Sequence, residues 1–239
     1  LCSRGIPRDY KACLDYLEIQ FQNFCKNIRR EDIEIAVGNH DLNANLSYSQ
    51  EHIEERFVEF RNLLESKKLR KYPILDINEK IISTNAGKVL LLNVNSCLEF
   101  GNLDLHPKSI RETINRILES ENGKKERNRL LNVPFIRDSL MTSICKKIKD
   151  NPDCLPVVTT HHNFLRNRFF DPDSEYDGII NDGLIMQKLL DLDRSMLIVH
   201  GHIHDDLIRV INSKHGKIIY ISAPLLFPLV DRKESVKFG

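Results

Sequence analysis

Three short clusters of histidine and asparagine follow apolar runs in the sequence, and these residue types bind transition-metal ions. The clusters are Asn39 with His40, His161 with His162, and His202 with His204. Imidazole nitrogens together with an amide oxygen form a borderline ligand set, which suits Mn, Fe, Zn or Ni better than Ca or Mg. In an extended segment His202 and His204 project on the same side, so both rings can reach one ion or two adjacent ions. The chemistry that these residues indicate is that of a divalent metal centre.

Each cluster comes directly after a predicted strand. Residues 33–37, 155–159 and 196–199 are short apolar runs, which are typical of buried strands. The carboxyl ends of strands in α/β sheets are where binding sites assemble. We therefore expect the three clusters to converge in space. The alternative is that the histidines make ordinary hydrogen bonds at separate strand ends, because short motifs also occur by chance.

Helical periodicity separates the predicted strands. Apolar residues at three- and four-residue spacing predict helices over residues 7–30, 49–67, 107–118, 137–149 and 184–190. Hairpins are predicted over residues 81–93, around Asn85-Ala86-Gly87, and over residues 207–222. The alternation of strands and helices indicates a layered α/β fold.

Composition limits the size of the fold and the kind of partner. A chain of 239 residues, 41% of them hydrophobic, can bury the core of a single domain spanning residues 1–239. A net charge of +1 gives no overall field for nucleic acid or a membrane surface. The longest apolar stretch, residues 218–230, is interrupted by Pro224 and Pro228, which argues against a membrane span. The six cysteines form no Cys-x-x-Cys pair, so we expect reduced thiols and a cytoplasmic protein.

The motifs resemble those of the calcineurin-like metallophosphoesterase superfamily. Gly38-Asn39-His40-Asp41, His161 and Gly201-His202-Ile203-His204 stand in the order of that family's Gly-Asn-His-Asp/Glu motif, later histidine and Gly-His-x-His motif. The match spans nearly the whole chain. It implies a layered β-sandwich of mixed sheets flanked by helices, in the order α/β/β/α.

The resemblance also implies two divalent metal ions at the sheet edge, with Mn favoured and Fe, Zn or Ni as alternatives. By that resemblance Asn39, His161 and His202 hold one ion, and His204 belongs to the other. Two closely spaced ions lower the pKa of a bridging water, which makes hydroxide available near neutral pH. The implied activity is that of a metal-dependent phosphoric ester hydrolase, in which a metal-bridging hydroxide attacks the phosphate ester.

The resemblance gives His40 and Asp41 catalytic roles. His40 would contact the phosphate and protonate the leaving oxygen, a task that suits an imidazole near neutrality, and Asp41 would orient its ring. The resemblance implies a phosphate ester substrate of the phosphodiesterase or nuclease type, with a nucleotide or nucleic acid among the candidates. Residues 164–182 form a long connection, of the kind that often serves as an active-site loop. The candidate substrate-binding residues are His162, Arg166 and Arg168.

Two motifs of the family, Asp-x-His and Gly-Asp, do not occur ahead of Gly38. In the family they supply the bridging carboxylate and most ligands of the second ion. One explanation places them, with the first strands of the domain, upstream of Leu1. A further domain or a partner chain is a separate expectation. Losing those strands would expose the apolar surface of a central sheet, so we favour this explanation. The other explanation is a catalytically incomplete homologue that acts as a nucleotide- or partner-binding module.

Overall fold

The computed structural model describes residues 34–42, 54–66, 74–120, 133–165, 178–202 and 207–222, together with positions 15, 19 and 131. Asp15 and Ile19 are helical, and the rest of the helix predicted over residues 7–30 lies outside the described residues. Arg166, Arg168, His204 and the side chain of His40 also lie outside them.

Six strands in the described part of the chain form one mixed sheet. They are β1 (Asn78–Thr84), β2 (Gly87–Val94), β3 (Cys154–Thr160), β4 (Met196–His200), β5 (Ile208–Asn212) and β6 (Lys217–Ser222). Their order across the sheet is β1-β2-β3-β4-β6-β5. The four inner strands, β2, β3, β4 and β6, run parallel, and each edge is closed by an antiparallel hairpin. The expected α/β class is confirmed. Because the four inner strands are parallel, their carboxyl ends all lie at the same end of the sheet.

Four helices have both ends within the described residues. They are α1 (Val58–Ser66), α2 (Lys108–Glu119), α3 (Asp138–Asp150) and α4 (Asp182–Leu190), with short 3₁₀ turns at Asn39–Asp41, Glu55–Phe57 and Leu103–Leu105. The helices predicted over residues 107–118, 137–149 and 184–190 are confirmed with small shifts at their ends. The helix predicted over residues 49–67 is described from residue 54 onward, as a 3₁₀ turn that continues into α1.

One face of the sheet packs against α3 and α4. Alternate residues of the inner strands are buried there, as the two-residue period of a strand requires. This core includes Leu90, Leu92, Val158, Ile198 and Tyr220 from the strands and Met141, Ile144, Ile148, Ile185 and Leu189 from the helices. Because these side chains exclude water almost completely, the carboxyl ends of the inner strands are fixed relative to one another.

The apolar run at residues 33–37 does not join the sheet, so the predicted strand is wrong for the residues described. Residues 34–38 belong to no strand, and Nδ2 of Asn93 in β2 instead donates a hydrogen bond of 3.1 Å to the carbonyl of Ile35. The apolar side chains of the run lie in a second core cluster with α1 and the loop after β2, which includes Ile35, Val37, Phe57, Phe60, Cys97 and Phe100. The segment is buried as predicted, but a side chain bonds its backbone in place of a strand ladder.

Candidate metal centre

The turns after β3 and β4 bring two imidazoles together beside the turn that follows residues 34–38. Nε2 of His161 lies 2.8 Å from Oδ1 of Asn39 and 3.2 Å from Nδ1 of His202. Together with His162 these histidines form a cluster whose ligand nitrogens all lie within 4.8 Å of one another. The predicted convergence of the three sequence clusters is therefore confirmed for Asn39, His161 and His202, and the histidine cluster could hold a metal ion.

The two contacts of Nε2 of His161 are hard to satisfy with hydrogen bonds alone. A ring nitrogen of neutral histidine carries either one proton or one lone pair in the ring plane, so it serves one partner well and not both. Ligand atoms bound about 2.1 Å from one ion, at angles between octahedral and tetrahedral values, lie about 3.0–3.4 Å apart. The separations from His161 to Asn39 and His202 are close to that range, so both contacts are compatible with a shared cation.

Gly38 allows the ring of His161 to approach the backbone of the asparagine turn. A Cβ atom at Gly38 would lie 2.9 Å from both Cε1 and Nδ1 of His161, which is closer than a side chain can pack. The turn itself is closed by Asp41, because its Oδ2 accepts the backbone N–H of Gly38 at 2.8 Å. Asn39 is thereby held next to His161.

His202 has a left-handed backbone, with a φ of 69°. The expectation of an extended segment through His202 is therefore wrong at this residue. Such a conformation costs a non-glycine residue on the order of 1–3 kcal/mol, and such residues concentrate at functional sites. Gly201, which precedes His202, is bonded to the turn after β3, because its N–H donates to the carbonyl of His161 at 3.1 Å.

His162 is buried behind the cluster, with only 1% of its surface exposed. Its Nδ1 lies 2.8 Å from Oγ of Ser96, in the turn that follows β2, and 3.9 Å from Sγ of Cys97. Burial, and then the neighbouring His161 and His202, lower the pKa of His162 well below its ordinary value. The ring is therefore neutral near pH 7, and the neutral imidazole is the form that binds metal ions.

Cys97 is close to the cluster but is poorly suited to bind a metal. Burial, and then the charge of Asp41, raise the pKa of the Cys97 thiol well above its ordinary value. A thiol must lose its proton to act as a ligand or nucleophile, and in the metal-free protein this shift of the pKa opposes that loss. Within the described part of the chain Cys97, Cys145 and Cys154 are free thiols, as the sequence predicts for these three. The candidate centre thus consists of nitrogen and amide oxygen donors.

Asp41, predicted to orient His40, is buried with 3% of its surface exposed. One of its oxygens bonds Gly38, and the other, Oδ1, is buried and has no hydrogen-bond partner among the residues described. His40 lies in the same 3₁₀ turn, between Asn39 and Asp41. The proposed contact between the two side chains stays a prediction, because the His40 side chain is not described.

The long connection at residues 164–182 is described only at its ends. Asn163 pairs with Gly178 in an isolated parallel bridge, and the N–H of Ile179 donates to the carbonyl of Asn163 at 2.9 Å. The connection therefore leaves and re-enters the fold at one place, next to His162. The substrate-binding roles of Arg166 and Arg168 and the metal-binding role of His204 lie outside the described residues and stay predictions.

Ser96 is a site residue that the sequence patterns did not identify. It occupies the turn after β2, and β2 lies next to β3 in the sheet. A polar residue directly after an apolar strand is the same signal that marked the histidine clusters. It would have drawn attention to Ser96 if the order of the strands had been known.

The chain matches no known protein family, and no curated protein is significantly similar to it in sequence. The resemblance to the metallophosphoesterase superfamily therefore stays a prediction from the motifs. None of the helices in the described ranges is both long and apolar enough to cross a membrane.

Proposed function

We propose that this protein is a metal-dependent phosphoric ester hydrolase with two divalent ions, of the phosphodiesterase or nuclease type. The observation that supports it best is the meeting of Asn39, His161 and His202, which are far apart in sequence and carry three motifs of one enzyme family. The donor atoms of these residues lie within 2.8 and 3.2 Å of the central nitrogen of His161. Separate structural histidines would not require this arrangement.

The described residues fit the first of the two ions. Oδ1 of Asn39, Nε2 of His161 and Nδ1 of His202 supply two nitrogens and one oxygen, which suits Mn, Fe or Zn. The histidine cluster of the described residues contains no carboxylate. In this proposal His204 is a ligand of the second ion, and the other ligands of that ion do not come from the described residues.

When bound, the two ions would polarise the phosphoryl group and make hydroxide available near neutral pH. The residues of this chain would position the substrate and move a proton. His40, next to Asn39 in the 3₁₀ turn, would contact the phosphate and donate a proton to the leaving oxygen. Arg166 and Arg168 would bind phosphate oxygens from the 164–182 connection, because guanidinium groups pair well with phosphate.

The second face of the sheet supports the four-layer fold that this function implies. On the side opposite α3 and α4 the inner strands carry apolar residues that are only half-buried, namely Leu91, Val157, Leu197, Val199, Ile219 and Ile221. A sheet with apolar residues on both faces is stable when a further layer covers the second face. We propose that a second sheet covers it, which gives the α/β/β/α sandwich.

Hydrolysis of bis(p-nitrophenyl) phosphate by the full-length protein in the presence of Mn²⁺ tests the proposal. We expect activity in the wild type and a loss of roughly 100-fold or more in Asn39→Ala and His202→Ala, because each variant removes a donor of the first ion. His215→Ala is the matched control. His215 is exposed in the β5–β6 turn, which lies at the other end of the strands from the candidate centre. The activity of this variant should equal that of the wild type.

Two outcomes would contradict the proposal. One is metal-dependent activity that survives in both Asn39→Ala and His202→Ala. The other is a wild type without activity that binds at most one ion per chain, which would favour a nucleotide- or partner-binding module.

A further inference from the structure

We infer that His162 is a direct ligand of the ion held by His161 and His202, through its Nε2 atom, and that Ser96 is its positioning residue. The inference rests on the metal centre of the proposed function and adds a third imidazole to it. It requires neither hydrolytic activity nor a second ion.

The contacts of Ser96 are compatible with a proton on Nδ1 of His162, and we assign that tautomer. Oγ of Ser96 accepts the backbone N–H of His162 at 3.2 Å and lies 2.8 Å from Nδ1 of the same residue. A hydroxyl oxygen has two lone pairs, so it can accept both the backbone N–H and a proton on Nδ1. In that tautomer Nε2 carries the lone pair. Metal-binding histidines are commonly fixed in this way, with the second ring nitrogen donating to a neighbouring group.

The ring of His162 faces the cluster from its buried side. Its centroid lies 4.8 Å from that of His161 and 4.5 Å from that of His202, and Phe100 packs at 5.4 Å. Only 1% of His162 is exposed, so solvent offers little to an Nε2 lone pair, and we assign that lone pair to the space between the three histidines.

The distances allow all three rings to share one ion after a small adjustment. The ligand nitrogens lie within 4.8 Å of one another, and ligands of one ion are about 3.0–3.4 Å apart, so the rings need to close by at most about 1.8 Å. With Asn39 the centre then has three nitrogens and one oxygen. These four donors all lie in the described ranges, and an ion with five or six ligands leaves a position beside them for the water that hydrolysis requires.

Nuclear magnetic resonance of the ¹⁵N-labelled full-length protein tests the inference through the histidine ring nitrogens. Addition of Zn²⁺ should shift the ¹⁵N resonances of Nε2 of His161, Nδ1 of His202 and Nε2 of His162. Nδ1 of His162 should keep its proton. If the first two nitrogens shift and Nε2 of His162 does not, the inference is wrong and the proposed centre stands. If none of the three nitrogens shifts, the inference and the proposed centre both fail.

Variants of His162 and Ser96 separate ligation from positioning. His162→Asn keeps an N–H donor near Ser96 and lacks Nε2, so we expect Zn²⁺ affinity roughly 100-fold below that of the wild type. Ser96→Ala should reduce the affinity roughly 10- to 100-fold, and Ser96→Thr, which retains the hydroxyl, should restore most of it. His215→Asn is the control and should bind as the wild type does. Wild-type affinity in both His162→Asn and Ser96→Ala would overturn the inference.

Discussion

The ring of His161 lies against a stretch of backbone that has no side chain at Gly38. The space that a methyl group would occupy there is filled by the imidazole, at 2.9 Å from the position of a Cβ atom. Nε2 of the same ring is the atom that meets Asn39 and His202. Any displacement of the ring therefore separates the donors of the candidate centre.

Gly38→Ala should consequently weaken metal binding at least roughly tenfold and lower the free energy of unfolding by about 1–3 kcal/mol, as overpacking does elsewhere. Metal titration and urea unfolding measure the two effects. Gly183→Ala is the matched control, because Gly183 lies in α4 and a Cβ there meets no atom within 4 Å. The control should keep its metal affinity and gain up to about 1 kcal/mol in stability. Equal metal affinity in the two variants would contradict this account of His161.

Residue types and their spacing predicted Asn39, His161 and His202, because each follows an apolar run. They did not predict Ser96, since a serine in a turn is common and its partner His162 is far away in sequence. The left-handed backbone of His202 was also missed, because a positive φ at histidine has no signature in the spacing of residues. Both features depend on how neighbouring turns pack.

Side chains of β1 and β2 attach the segment of residues 34–38 to the sheet. Nδ2 of Asn78 in β1 donates to Oε2 of Glu34 at 2.6 Å. Asn93 is buried in β2 and donates to the carbonyl of Ile35 at 3.1 Å. Asn39 follows this segment directly, so the attachment also sets the position of one metal donor. A strand paired in the sheet would instead be held in place by several backbone hydrogen bonds.

Asn93→Ala should therefore lower the free energy of unfolding by about 1–3 kcal/mol, because it removes a buried hydrogen bond to the carbonyl of Ile35. It should also weaken metal binding through the displacement of Asn39. Urea unfolding and metal titration test both effects, and Asn212→Ala, at an exposed position of β5, should change neither. Stability and metal affinity that both equal those of the wild type would show that Asn93 does not hold the segment in place.

Helices and hairpins were predictable wherever a long periodic pattern or a turn signal was present. α2 and α3 have amphipathic spacing over their whole length, and Asn85-Ala86-Gly87 marks the β1–β2 turn. The strand predicted over residues 33–37 failed because a short apolar run fits a buried irregular segment equally well. The sequence alone does not reveal that a side chain of β2 bonds this backbone.

Burial of neutral histidines makes the stability of the whole molecule depend on pH. Burial lowers the pKa of His200, with opposition from the Gly201 carbonyl and further lowering by Arg209 and His202. The pKa of His162 is lowered more strongly, first by burial and then by His161 and His202. The unfolded chain, with histidine pKa values of about 6.5, binds more protons than the folded chain as the pH falls below that value. The stability contribution is therefore present above about pH 6.5 and is lost below it.

The metal-free protein should lose free energy of unfolding between about pH 7 and about pH 5.5, and the loss should be smaller in His162→Asn. Urea unfolding at a series of pH values, with a chelator present, measures both slopes. Parallel slopes for the wild type and the variant would mean that His162 is not the buried neutral group described above.

The α/β class of the whole molecule was predictable from the alternation of strands and helices. The strand order β1-β2-β3-β4-β6-β5 was not, because it depends on pairings between residues far apart in sequence. That order places the turns after β2, β3 and β4 side by side, so it decides which polar residues meet.

Anomalous X-ray scattering from a crystal of the full-length protein with Mn²⁺ tests the central claim most directly. We predict a manganese peak about 2.0–2.3 Å from Oδ1 of Asn39, Nε2 of His161 and Nδ1 of His202. An ordered cluster without a peak at saturating Mn²⁺, or a peak that contacts none of these three atoms, would contradict it.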